Sequence, residues 1–260
     1  MNELKKTGIE ADDWEFLKAY TTARIALGKT GVSIPLKESL QFKMAHAHAK
    51  DAVYSSLDMA ALQADLSSAG LPIYTVHSQA ENRDIYLQRP DLGRLLSADS
   101  AEQLQQLNSP SADISIIIAD GLSATAIMEN AVPVVRLLVE KAQQAGYALA
   151  PILLVDQGRV AITDAIGGIL NPRLAIMLIG ERPGLSSFDS MGAYITYGPQ
   201  PGLTDERRNC ISNIRQQGLS PAFAVDKLMY LIQSAFRLQI TGVALKDNGD
   251  PEQDRILLNS

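Results

Sequence analysis

The chain has 260 residues, 46% of them hydrophobic and 20% charged, enough for one large domain or two small ones around a substantial core. Its formal net charge of −6 argues against nucleic acid or a membrane surface as the main partner. No apolar run reaches about 18 residues, the opening MNELKKTGIEADDWEF lacks the apolar stretch of a secretory signal, and the lone Cys210 leaves no internal disulfide, so the cytosol is the expected compartment.

The first ninety or so residues read as helical. In DDWEFLKAYTTARIAL, apolar residues at 14, 16, 17, 20 and 23 follow a roughly helical spacing. GKTGVSIP breaks the pattern with two glycines and a proline. A second helix is expected from Leu36 to about Tyr54, and a third, LDMAALQADLSSAG, ends at Gly70 as a helix-terminating glycine. LPIYTVHS reads as a short strand, and the stretch after it, ENRDIYLQRPDLGRLL, is polar and rich in arginine.

The composition changes after NSPSAD. ISIIIAD (114–120), ALAPILLVDQG (148–158) and RLAIMLIGERPG (173–184) are short and almost continuously apolar. A strand with one wet face alternates polar and apolar residues; these do not, which predicts burial on both faces, as in a parallel sheet. The helical pattern SATAIMENAVPVVRLLVEKAQQAG separates the first two, with Pro133 predicting a kink or a break. The shorter VAITDAIGGIL separates the second and third. GAYITYGP supplies a fourth strand, and SPAFAVDKLMYLIQSAFRLQI a long final helix opened by Ser220 as N-cap and Pro221 as first residue. The fold class is α/β: a mainly helical N-terminal region at 1–96, then a Rossmann-like doubly wound, mainly parallel sheet domain at 97–260.

In open α/β sheets, ligands sit outside the carboxyl ends of the strands. Three polar, glycine-containing turns fall there: residues 120–123 (DGLS), 156–159 (DQGR) and 180–184 (GERPG). Asp120 and Ser123 serve equally well as caps for the helix that follows. Glu181 and Arg182 are harder to account for, because no helix follows closely enough for them to cap; an ordinary surface ion pair is the alternative. Neither G-x-G-x-x-G after the first strand nor G-x-x-x-x-G-K-[ST] anywhere is present, which disfavours a dinucleotide on a glycine-rich loop. His46 and His48, two apart on a helix, point to nearly opposite sides and make a poor chelate. His77 has no visible triad partner. A nucleophilic Cys210 lacks a histidine nearby in sequence, and a partly buried thiol lining a cavity is the simpler reading. These residues describe a ligand-binding module without an evident catalytic apparatus, suited to a subunit that holds a cofactor for chemistry completed by another chain.

YLQRPDLGRLL, IIIADGLSATAI, GRVAITDAIGGIL, LIGERPGLSSFDS and RNCISNI, in that order, resemble the small (light) subunit family of ethanolamine ammonia-lyase, and TTARIALGKTG resembles its opening. The resemblance covers most of the chain, from about Thr22 to the C-terminal region. It implies a subunit of an adenosylcobalamin-dependent carbon–nitrogen lyase that converts ethanolamine to acetaldehyde and ammonia by a radical mechanism. A large subunit with a TIM barrel holds the substrate, and the small subunit closes over the cobalamin in a hetero-oligomer. It also implies cobalamin contacts at Val160, Glu181 and Cys210, with no catalytic residue and no metal ligand in this chain. The residue types suit those roles: a carboxylate accepts from the cofactor's amide N–H groups, valine packs its apolar parts, and a small thiol sits close to backbone. No D-x-H-x-x-G turn occurs, so the cobalamin is expected to keep its own base on cobalt. Some relatives carry a long N-terminal extension linked to the ethanolamine microcompartment. Only about twenty residues precede TTARIAL here, so encapsulation within the bacterial cytoplasm is left open. The competing readings are a stand-alone nucleotide-binding or regulatory α/β protein, supported by the parallel-sheet pattern and weakened by the missing glycine-rich loop, and a purely structural assembly subunit.

Overall fold

The computed structural model describes residues 8–21, 23–107 and 112–246; the composition break at 108–111 lies outside them. The described strands are β1 (Ile73–His77), β2 (Ile114–Ala119), β3 (Ile152–Asp156), β4 (Leu174–Gly180), β5 (Met191–Tyr197) and β6 (Asn209–Ile214), joined in one sheet in the order β1-β3-β2-β4-β5-β6. β1 and β2 both run parallel to β3, and β2 runs parallel to β4. The three apolar runs are the three central parallel strands, as expected. β1, which comes from the first 96 residues, is the edge strand of the same sheet.

Two features of the sheet depart from the sequence reading. The fourth expected strand, β5, is antiparallel to β4, because residues 181–190 are too few for the crossover of a dozen or more residues that parallel pairing needs. β6, within RNCISNI, pairs antiparallel to β5. It carries only two buried positions, Ile211 and Ile214, so it gives no apolar run to read.

Every residue of β2 and β4 is buried, and alternate residues face opposite cores. Ile114, Ile116, Ile118, Leu174, Ile176 and Leu178 face one core, which is closed by α5 (Ala124–Gln144) and α7 (Pro221–Leu238). Ile117, Ala119, Met177 and Ile179 face the other, which contains Ile162 and Ile166 of α6 (Ile162–Leu170). α4 (Ala98–Gln106) packs against α6 on that side. The successive crossovers through α5 and α6 therefore lie on opposite faces, as a doubly wound sheet requires.

α5 runs unbroken through Pro133, so of the expected kink or break the break does not occur. Pro133 and Glu129, one turn earlier, are both exposed, so the carbonyl deprived of its donor stands on the wet face of the helix. α1 (Leu36–Tyr54) has the expected bounds. α2 (Met59–Leu66) continues into a 3₁₀ turn, Ser67–Ala69, and stops at Gly70 with φ of 72°. Pro221 opens α7 as expected, although Ser220 makes no side-chain cap bond.

The helix expected across residues 12–27 shrinks to a 3₁₀ segment, Glu15–Ala19. Trp14, Phe16 and Tyr20 are all mostly exposed. Without a surface to bury its apolar positions, a short helix does not repay its nucleation cost. The arginine-rich stretch holds α3 (Arg83–Gln88), whose N-cap Asn82 accepts from the Ile85 N–H. Among the described residues, no helix is long and apolar enough to cross a membrane.

Candidate functional site

The three turns named above converge at the carboxyl ends of β2, β3 and β4 because their backbones touch. Leu122 N–H donates to the Gly180 carbonyl at 2.9 Å. A Cβ on Gly180 would lie 2.1 Å from the Ser123 carbonyl oxygen, and one on Gly121 would lie 2.2 Å from that of Gly180. Gly121 also has a φ of 59°, a left-handed conformation that costs glycine little. Here the glycines allow two turns to pack backbone to backbone.

Of the two residues open to a capping reading, Ser123 caps and Asp120 does not. Ser123 Oγ accepts from the Ala126 N–H at 3.1 Å and donates to the Phe188 carbonyl at 2.7 Å, which ties α5 to the segment after β4. Asp120 is 1% exposed and sits under Arg83, whose Nη1 donates to Asp120 Oδ2 at 3.0 Å and to the Gly121 carbonyl at 2.8 Å. Asp120 Oδ1 accepts from the N–H groups of Gly121 and Gly158. Burial pushes the Asp120 carboxyl up to about 7, with Asp156 adding to the rise and Arg83 and the two backbone donors opposing it.

The stretch YLQRPDLGRLL lies over the 156–159 turn. Tyr86 is fully buried, and its hydroxyl donates to the Gly158 carbonyl at 3.0 Å. Two guanidinium groups flank its ring, Arg159 at 4.1 Å and Arg83 at 4.9 Å from the centroid. Arg159 N–H donates to the Gly93 carbonyl, and its Nη2 to that of Tyr86.

Glu181 begins the turn after β4. Its Oε2 accepts from the Ser190 hydroxyl at 2.5 Å and the Asn213 N–H at 3.2 Å, and its Oε1 accepts from the Ser212 hydroxyl at 2.5 Å. It does not pair with Arg182, which is exposed and has no hydrogen bond or ion pair among the described residues. Next to this carboxylate, Tyr194 of β5 stands opposite Cys210 of β6 in register, with its phenol placed to stabilise the thiolate. The Cys210 thiol is exposed rather than partly buried as expected, because β6 is the last strand of the sheet. Crowding by neighbouring protein still raises its pKa, Glu181 adds to the rise, and the Tyr194 hydrogen bond opposes it.

An open cleft of about 390 Å³ lies between these elements, lined by Tyr86, Arg159, Val160, Glu181, Arg182 and Tyr194 together with the turns at Gly121 and Gly180. The structure thus brings Val160 and Glu181, far apart in sequence, onto one cleft, and places Cys210 beside it through Tyr194. Sequence reasoning missed Arg83, Tyr86 and Tyr194 and named Arg159 only as part of its turn. Their only signal was the density of arginine in 81–96 and the position of Arg159 within a named turn.

The histidines lie elsewhere. His46 stacks on Phe42 and His48 lies tilted against Phe188, both histidines exposed on α1, while His77 pairs with Asp156 at 3.4 Å at the end of β1. Among the described residues, no group of three or more His, Cys, Asp or Glu side chains is arranged to hold a metal ion.

Residues 11–246 match the family described as Ethanolamine ammonia-lyase light chain (EutC). Curated relatives named ethanolamine ammonia-lyase small subunit share about half of their residues with this chain. The one from Pseudomonas syringae pv. tomato is 48% identical over 95% of this chain and 87% of its own length. That from Xanthomonas campestris pv. campestris is 50% identical over 92% and 89%, and that from Ralstonia nicotianae 49% identical over 92% and 90%. The matched span includes every strand of the sheet and every turn that lines the cleft, so the chain belongs to the ethanolamine ammonia-lyase light-chain family.

Proposed function

We propose that this chain is the small subunit of an adenosylcobalamin-dependent ethanolamine ammonia-lyase and supplies one wall of the cobalamin site at its interface with the large subunit. The observation that carries the reading is the cleft at the carboxyl end of the sheet, where Val160 and Glu181 meet beside Cys210 within the family-matched span. Ethanolamine sits in the large subunit. The chain is assigned to the cytoplasm, with encapsulation in the ethanolamine microcompartment left open.

The residues suit a corrinoid edge. An ionised carboxylate has about four acceptor positions. Glu181 uses three of them internally, which fixes its orientation and leaves capacity for an amide N–H of the cofactor rim. Val160 presents an apolar surface, and the Tyr194–Cys210 pair presents a polar one. At about 390 Å³ the cleft is near the lower end of sites that enclose drug-sized ligands, and a corrinoid is much larger, so a second chain must close the site. Exposed Leu36, Leu40, Phe42 and Met44 on α1 give such a chain an apolar surface to cover. Bound adenosylcobalamin supplies radical chemistry from its cobalt–carbon bond; this chain orients the cofactor and keeps water from it.

The test is coexpression with the candidate large subunit, followed by assay of ethanolamine deamination with and without adenosylcobalamin. Cobalamin-dependent deamination is expected, and Glu181→Ala is expected to weaken cobalamin binding while the complex still assembles. An assembled complex without cobalamin-dependent activity overturns the reading. Unchanged affinity in the Glu181 variant assigns that residue to structure alone.

A further inference from the structure

Arg182 is exposed and makes no hydrogen bond or ion pair among the described residues. It shares the cleft with Arg159, and neither forms an ion pair with a carboxylate among the described residues. Glu181 is held by Ser190, Ser212 and the Asn213 N–H, and the charge of Asp120 is taken by Arg83. Arg159 stacks on Tyr86 and donates one bond, from Nη2 to the Tyr86 carbonyl at 3.2 Å; its Nε is buried without a hydrogen-bond partner among the described residues. Burial lowers the pKa of Arg159, helped by the charges of Arg83 and Arg182 and opposed by Tyr86 and Asp120. A buried, unpartnered guanidinium nitrogen is costly unless something pairs with it. Two guanidinium groups on one cleft suit an anion, and a planar guanidinium fork matches a phosphate better than any other common anion except a carboxylate.

We infer that Arg159 and Arg182 form an anion subsite that takes the phosphodiester of the nucleotide loop by which cobalamin carries its base. The inference rests on the cofactor reading above and extends it from the amide rim of the corrin to the one fixed negative charge of the nucleotide loop. Arg159, braced on Tyr86, is the preorganised half of the subsite. Arg182, exposed and unbonded, is the half that settles on the ligand. The two adjacent residues of the GERPG turn then divide the work, Glu181 accepting from an amide and Arg182 donating to a phosphate.

Three corrinoids test this on the assembled complex with the large subunit, with equilibrium binding as the readout: cobalamin, cobinamide phosphate, which keeps the phosphate but lacks the base, and cobinamide, which lacks both. Arg182→Gln is expected to weaken cobalamin and cobinamide phosphate by about tenfold, the scale of a lost charge-assisted hydrogen bond, and to leave cobinamide unchanged. Arg159→Lys keeps the charge but loses the fork and is expected to follow the same order with a smaller loss. If Arg159 variants fail to assemble, the exposed Arg182 carries the test alone. Equal losses for all three ligands, or no loss for any, overturn the subsite. A wild-type complex that binds none of the three overturns the cofactor reading and the subsite together, a pattern distinct from failure of the subsite alone.

Discussion

Arg83 Nη1 lies 3.0 Å from Asp120 Oδ2, with the two side chains 14% and 2% exposed, so one enclosed ion pair joins α3 to the end of β2 at the base of the cleft. Such pairs are weak evidence for stability, because desolvation offsets most of the attraction, but breaking one leaves a stranded charge. Arg83→Met is therefore expected to destabilise the protein by about 3–5 kcal/mol at pH 8.

The same pair sets a pH signature. Burial raises the Asp120 carboxyl to about 7, above its unfolded value, so its contribution to stability is full below the unfolded value and is lost as pH rises through about 7. Removing Arg83 raises that carboxyl further, since the positive charge of Arg83 opposes the rise more strongly than either backbone donor does. Thermal melts should thus show a smaller penalty for Arg83→Met at pH 5, where Asp120 can take up a proton, than at pH 8. A penalty independent of pH rules out Asp120 as the stranded group.

The contact between the turns after β2 and β4 makes a steric prediction. Gly180 has no positive φ, so substitution acts through space alone, and its Cβ would meet the Ser123 carbonyl at 2.1 Å. Gly180→Ala is expected to cost about 1–3 kcal/mol or more in urea unfolding, since backbone cannot yield as a side chain can. Wild-type stability in this variant would show that the turns have room to separate.

Pro133 offers a prediction of opposite sign. It lies in the interior of an otherwise regular α5, exposed, with its apolar neighbours Val134 and Val135 buried. Pro133→Ala restores a backbone donor without disturbing the core and is expected to stabilise the protein by about 1–3 kcal/mol. Unchanged or lower stability implies that a bend at this position is needed to seat α5 on the sheet.

Legibility in the sequence followed burial. β2, β3 and β4 are buried on both faces, and their unbroken apolar runs named both their type and their parallel pairing. β6 was invisible because Asn209 is polar and Cys210, Ser212 and Asn213 are exposed, so that pairing with β5 makes it a strand. The segment around Trp14 failed in the opposite way: helical spacing was present, but no surface was there to receive it. At the cleft, the glycines and charges at the strand ends were legible because topology dictates where ligands sit. Arg83 and Tyr86 were not, since side chains that reach across from one short polar helix leave no periodic trace.

Cys210 gives the most direct probe of the cleft's electrostatics. Its thiol is exposed, yet crowding raises its pKa, the Glu181 charge raises it further, and the Tyr194 hydrogen bond pulls it down. Reactivity follows the thiolate fraction. In the protein without corrinoid, iodoacetamide should modify Cys210 at pH 8 more slowly than it modifies a free cysteine, in spite of the exposure. Glu181→Gln removes the negative charge and should speed the reaction, whereas Tyr194→Phe removes the stabilising hydrogen bond and should slow it. The opposed signs matter, because loosening of β6 by either substitution would raise both rates. Two rates moving in the same direction would therefore mean that strand mobility, and not the Glu181–Tyr194–Cys210 arrangement, controls the thiol.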